Sequence, residues 1–277
     1  MNTKLSGIKN LIWAIFIVIA LIAIVVGLIS AMFTKYYGGK QDFSMNLGNT
    51  VSSSKDEAGP GMAEIGTGTG NMRGTLNTLN EVPDAGAEYL NSITFLCDST
   101  FIGLRDLALV DSSQVWGTKS GSMPISSASE ALIKFPNDGS EISAANAAMV
   151  IKPKILVIGI GTDNLAGTDQ ETFITQYDTL IRDICLASPD TKIICCGLPS
   201  ITEEYSGTDG LTVTIMSDGN DWIKLVCRDT GAYFLDVQEP LSESVQLLAR
   251  YASSNGRSLN RAGLQTFLEY LRTHALQ

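Results

Sequence analysis

The chain has 277 residues, 44% of them hydrophobic, and a mean hydropathy of +0.15, high for a purely soluble protein. Lys4, Lys9, Lys35 and Lys40 are the only charged side chains before residue 41, so residues 41–277 set 15 basic against 29 acidic side chains, a formal charge of −14. A surface of that sign argues against nucleic acid or anionic lipid as partners, and five cysteines without a Cys-x-x-Cys or a Cys/His ligand spacing indicate no metal site and no disulfide framework; we expect no cofactor.

In chain order, residues 1–10 form a short leading segment. Leu11 to Phe33 then runs 23 residues without a charge, enough at about 1.5 Å per residue to cross the roughly 30 Å core of a bilayer. We expect a transmembrane helix at 11–33. The rival is a cleaved signal peptide, but the run exceeds the roughly 7 to 15 residues of such a core and no A-x-A site follows. Trp13 and the Tyr36-Tyr37 pair would sit near the two interfaces. Basic residues flank the run almost evenly. One helix after a short lead and before a large C-terminal part suits a signal anchor, with the C-terminal domain outside a bacterial-type cell membrane. Residues 34–88 shift to Gly, Ser, Thr, Asn and acids, as in "GTGTGNMRGTLNTLN", and read as a stalk. Its "GTGTG" follows no strand and precedes no Gly-Lys-Ser/Thr, so it is no phosphate loop.

Residues 89–277 alternate strand-like and helix-like segments. Ile93 to Leu96 reads as a strand, 100–110 as a helix, 141–150 as a helix and "KILVIGI" (154–160) as a strand buried on both faces. Phe173, Ile174, Tyr177, Leu180, Ile181 and Ile184 recur at helical spacing, giving an amphipathic helix at 171–187. "KIICCGLP" is the next strand, 216–230 a helix closed by Gly231, and 232–237 a strand. A short helix and a last one from Arg261 to His274 follow. This alternation predicts a three-layer α/β/α sandwich with a mainly parallel, flavodoxin-like sheet and active loops at the carboxyl ends of its strands. Cysteines in these segments, the Cys195-Cys196 pair included, read as small buried hydrophobes. "DGNDW" at 218–222 lacks the alternating acids of a calcium loop and reads as a helix cap.

Three loops at strand ends carry the chemistry: "CDST" at 97–100, "GTDN" at 161–164 and "SNGRSLNRAG" at 254–263. Their order and spacing resemble the SGNH (GDSL-like) hydrolases, whose blocks read roughly G-D-S, G-x-N-D and D-G-x-H-L-N. The resemblance spans about 91–275 and implies ester hydrolysis. In that family the first-block serine is the nucleophile; its N–H, a second-block glycine N–H and an asparagine amide hold the oxyanion, and a histidine oriented by an aspartate is the base. Carried over, Ser99 takes the nucleophile position with Asp98 beside it, and Cys97 replaces the glycine. Gly161 opens the third block, Asp163 stands at the oxyanion asparagine and Asn164 follows. Asn255 stands for the aspartate and Ser258 for the histidine, while Gly256, Leu259 and Asn260 match. The second-block glycine is Gly117 or Gly121, with Gly121 preferred.

The fold's frame is therefore kept and its proton machinery is not. His274, the only histidine, lies 16 residues beyond Ser258 on the last helix and reads as a surface or helix-end residue. An aspartate of ordinary pKa near 4 is a poor base for a serine, and ionised it would repel an oxyanion. Loss of the base histidine costs a serine hydrolase about a millionfold in kcat, and loss of one oxyanion donor about a hundred- to a thousandfold. Three readings follow: a membrane-tethered pseudoenzyme whose old ester cleft binds a ligand or partner; an active esterase of acyl or O-acetyl groups on cell-envelope glycans, with Ser99 and a non-standard base such as Asp163; or a structural or adhesive surface protein, its cleft filled by Trp116 or Met123.

Overall fold

The computed structural model describes residues 74–277; the expected span at 11–33 and the first part of the expected stalk lie outside the described residues. Among the described residues no helix is long and apolar enough to cross a membrane. Six strands form one parallel sheet: β1 (Asn77–Thr78), β2 (Ile93–Cys97), β3 (Val115–Trp116), β6 (Ile155–Gly159), β7 (Lys192–Cys196) and β8 (Tyr233–Leu235), in the order β1-β8-β7-β6-β2-β3. The hairpins β4 (Leu132–Lys134) with β5 (Glu141–Ser143), and β9 (Ser242–Glu243) with β10 (Gln246–Leu247), stand apart from it. The helices are α1 (Gly86–Asn91), α2 (Gly103–Asp106), α3 (Ala144–Ile151), α4 (Gln170–Ala187), α5 (Val213–Thr230), α6 (Gln238–Leu241) and α7 (Arg261–Thr273).

Each strand sends alternate side chains to opposite faces, as the pleat requires. Leu96, Leu156, Ile158, Ile193, Cys195 and Phe234 join one buried cluster with residues of α3, α4 and α5. Phe95, Val157, Ile194, Cys196 and Leu235 join a second with Phe267, Leu268 and Leu271 of α7. The strands are apolar throughout because both faces are covered, which is the three-layer arrangement. The long helices start where a side chain caps their free N–H groups: Asp169 accepts from Thr172 N, Thr212 from Ile215 N and Asn260 from Gly263 N. Gly231, at φ +79°, ends α5 in the left-handed conformation that its lack of a Cβ permits.

Several boundaries depart from the sequence expectation. Residues 100–110 hold only the four-residue α2, because Ala108 turns to φ +50° and the chain leaves for β3. Glu141–Ser143, expected as helix, pair as β5, and Ser143 caps α3 behind them. "DGNDW" lies inside α5 and caps nothing; its Asn220 is buried and grips both backbone groups of Leu198. The expected stalk ended at residue 88, whereas β1 pairs with β8, Val82 N donates to Thr273 O, and Asp84 pairs with Arg272. Trp116 and Met123 are wholly buried in the core beneath α3 and α4.

Candidate active site

The strand order reverses between β2 and β6, which places a crevice at their carboxyl ends. Their register is level, Cys97 opposite Gly159, so the two following loops meet. Asp98 joins them. Its fully buried carboxylate accepts from Thr100 N at 2.8 Å and from Gly161 N and Thr162 N at 3.0 Å each. Burial pushes the Asp98 carboxyl up to about 6, the Asp163 charge adds to the rise, and the three N–H donors oppose it. Gly161 sits at φ +129°, where a Cβ would press on Phe173 and Leu198, so this turn needs glycine. Cys97 points into the cluster beneath α7, fully buried, and burial holds its thiol well above its usual range.

Ser99 and Asp163 are brought together. Ser99 Oγ donates to Asp163 Oδ1 at 2.6 Å, and Ser99 N to Oδ2 at 3.3 Å. Oδ2 also receives Ser122 Oγ at 2.9 Å and Met123 N at 2.8 Å, from the loop after β3. Arg257 completes the group. Its Nη2 lies 2.8 Å from Ser99 Oγ and 3.3 Å from Asp163 Oδ1, while its Nη1 pairs with Asp209 Oδ2 at 3.1 Å. Asp209 in turn accepts from Tyr205 Oη and Leu211 N. Burial, and after it the bond to Asp209, push the Tyr205 phenol up to about 12.

Other sequence-derived positions do structural work. Asn255 Oδ1 accepts from Arg257 N and Ser258 N, and its Nδ2 donates to Ser258 Oγ at 3.1 Å, so the two substituted positions bond each other. Asn260 caps α7 and donates to the carbonyls of Arg250 and Ala252. Gly121, at φ +78°, donates its N–H to Thr118 O. Asn164 is exposed at φ +60° and starts the turn after the site. His274, expected at the surface or a helix end, is the C-cap of α7 but buried: its Nδ1 contacts Tyr270 O at 3.0 Å and its ring stacks on Tyr270.

Arg257, Ser122, Asp209 and Tyr205 were not singled out from the sequence. The signal for Arg257 was there: a cation one residue before the vacant base position, in a chain with an acid at the oxyanion position. Among the described residues no cluster of His, Cys, Asp or Glu is arranged to hold a metal ion. A cleft of about 510 Å³ is lined by Thr202, Glu204, Tyr205, Ser206, Ser253 and Asn255; it meets the group through Tyr205 and Asn255, and Ser99, Asp163 and Arg257 do not line it.

Chemically, the group is an anion already seated among donors. Two backbone N–H groups and a hydroxyl converge on Asp163 Oδ2, which is the arrangement that stabilises the oxyanion of acyl transfer. Here the protein's own carboxylate occupies it.

Residues 134–266 match the model of the GDSL-like Lipase/Acylhydrolase family. The match takes in Gly161, Asp163, Asn255 and Ser258 and begins after Ser99. No curated protein matches the chain in sequence. Among solved structures, a protein from Streptococcus pneumonia with a provisional description as a platelet activating factor is 17% identical, at a TM-score of 0.51, covering 65% of this chain and 82% of that one. A provisionally described GDSL-like lipase from Parabacteroides merdae is 15% identical, at 0.46, covering 72% and 100%. A provisionally described acylhydrolase from Bacteroides fragilis is 14% identical, at 0.47, covering 65% and 84%. At 17% identity and a TM-score of 0.51, the first of these likenesses is one of fold.

Proposed function

We propose that this chain, which carries a GDSL-like lipase/acylhydrolase domain, is a membrane-anchored, non-hydrolytic member of that family, using the former ester cleft to hold a ligand or partner outside the cell. The observation that carries the reading is the Asp163 carboxylate, which fills the donors an ester oxyanion would need. A substrate carbonyl would have to displace a carboxylate held by five hydrogen bonds, one of them from a guanidinium. Arg257, the cation beside Ser99, can only donate, so it cannot take the serine proton. Anchoring is supported by the uncharged run at 11–33. The polar walls of the adjoining 510 Å³ cleft suit a hydroxylated ligand such as an envelope glycan or an acylated form of one.

A second reading has one observation in its favour: the 2.6 Å bond aims the Ser99 hydrogen at Asp163, the geometry of a nucleophile and its base. Hydrolysis of a short-chain aryl ester separates the two. We expect wild type and Ser99→Ala to turn over equally slowly, and Asp163→Asn/Asn255→Asp/Ser258→His to gain activity. Turnover in wild type that vanishes in Ser99→Ala would establish Asp163 as an unusual base and end the non-hydrolytic reading.

A further inference from the structure

The end of the sheet opposite Ser99 gathers unpaired cations and exposed apolar side chains. The turns leading into β6 and β7 bring Lys152, Lys154 and Lys192 around a depression of about 520 Å³, with Asp190 as the acid on its wall. All three lysines are exposed, and none has an ion-pair partner among the described residues. Apolar side chains flank them. Met149 and Val150, in the last turn of α3, are 53% and 56% exposed, and Leu186, in the last turn of α4, is 65% exposed. These are three of the five large hydrophobics that stand out in solvent among the described residues. A lysine at a helix C-terminus is favoured by the helix dipole, which accounts for Lys152 behind α3. It does not account for Lys154 and Lys192, nor for the apolar neighbours.

We propose that this end of the domain docks on an anionic lipid surface, with the three lysines on the headgroups and Met149, Val150 and Leu186 in the boundary below them. Cations beside exposed aliphatic side chains are the combination that such a surface holds, the charges by attraction to anionic lipid and the side chains by leaving water. The formal charge of −14 over residues 41–277 repels the same surface, so contact is confined to the patch where the three lysines outnumber Asp190. Docking there fixes an orientation. The strands are parallel, so Ser99 and Asp163 at their carboxyl ends face away from the bilayer. The chain also joins the domain from this end, because β1 runs parallel to β8 and begins there at Asn77. Nothing in the inference depends on whether the Ser99 cleft hydrolyses esters.

The test uses the full chain in vesicles of phosphatidylcholine alone or with phosphatidylglycerol, labelled with a water-soluble amine-acylating reagent and read residue by residue. Lys119 and Lys134, exposed and without ion pairs elsewhere on the domain, are the internal reference. The expected result is a severalfold loss of labelling at Lys152, Lys154 and Lys192 in the phosphatidylglycerol vesicles only, reversed by raised salt as screening shortens the attraction. The Val150→Ser/Leu186→Ser variant, which leaves the charge unchanged, should lose part of that protection. Equal labelling of all five lysines in both vesicle types would overturn the proposal. Protection spread alike over Lys119 and Lys134 would overturn it too, since that is crowding at a membrane and not a docked face.

Discussion

Arg257 Nη2 lies 2.8 Å from Ser99 Oγ, within reach of the hydroxyl that a base would hold in a working serine hydrolase. A guanidinium has no lone pair to offer, so the serine can only accept from it and must send its own hydrogen to Asp163. One side chain thus fixes the direction of every hydrogen bond at the nucleophile position and joins it, through Asp209, to the loop before α5.

Arg257→Ala should therefore act on stability. It leaves the nearly buried Asp163 and the more open Asp209 without their shared counter-ion. Breaking a buried pair costs about 3–5 kcal/mol, and the partial exposure of Arg257 and Asp209 reduces this to about 1–3 kcal/mol. Arg257→Lys should recover only part, because an ammonium cannot fork between two carboxylates as a guanidinium does. Urea unfolding of the three proteins checks the order; a variant as stable as wild type would mean the bridge contributes nothing.

Asp98 makes a prediction in pH. Burial pushes its carboxyl up to about 6 from an ordinary 3.8, so the folded state favours the protonated form. Its contribution is fully present below pH 4 and is lost as pH rises through 6, a change on the order of 2–4 kcal/mol. Stability measured from pH 4 to 7.5 should fall more steeply in wild type than in Asp98→Asn, which cannot ionise. Parallel curves would place the titration elsewhere.

Tyr205 reports on the same network by absorbance. Burial, and after it the bond to Asp209 and that residue's charge, push the phenol up to about 12, so Asp209→Ala should bring it part of the way back toward the ordinary value of about 10. The alkaline difference spectrum of wild type against Asp209→Ala would then show one tyrosine moving down. An unchanged titration would show that burial alone sets the value.

Asn220→Ala tests a clamp behind the Gly161 turn, which Leu198 packs against. Its buried amide accepts Leu198 N and donates to Leu198 O, holding the loop that follows β7 against α5. Truncation strands two buried backbone groups, so a loss of about 2–4 kcal/mol is expected in thermal or urea unfolding. A loss below about 1 kcal/mol would mean that water replaces the amide.

The parallel sheet was legible in the sequence because its strands are continuous apolar runs and the helices between them carry a strong three- and four-residue period. "KILVIGI" and the stretch from Phe173 to Ile184 needed no tertiary information. β3, β4 and β5, of two or three residues, left no comparable trace: they exist because neighbouring segments pair with them. The positions of Ser99, Asp98 and Asp163 followed from the loop blocks. That Asp163 would sit among the donors of Ser99 and Met123, and that Arg257 would reach Ser99 and Asp163, depends on how four loops separated by up to 158 residues fold over one another. Asn260 looked like a family signature and proves to be a helix cap. His274 looked like a helix-end residue, which it is, but its burial comes from stacking on Tyr270, a contact that a one-residue-wide reading misses.

β1 is two residues long, yet it decides what the rim of the sheet offers to other molecules. Asn77 and Thr78 lie along Tyr233 and Phe234, and Leu79 N adds a bond to Phe234 O. Without them, β8 would present a row of unanswered N–H and C=O groups beside an aromatic pair, a template for any extended chain that drifts past. A chain begun at residue 88 would keep nearly all of its interior and still associate rim to rim as its concentration rises. A chain begun at residue 74 would carry its own cover and stay dispersed.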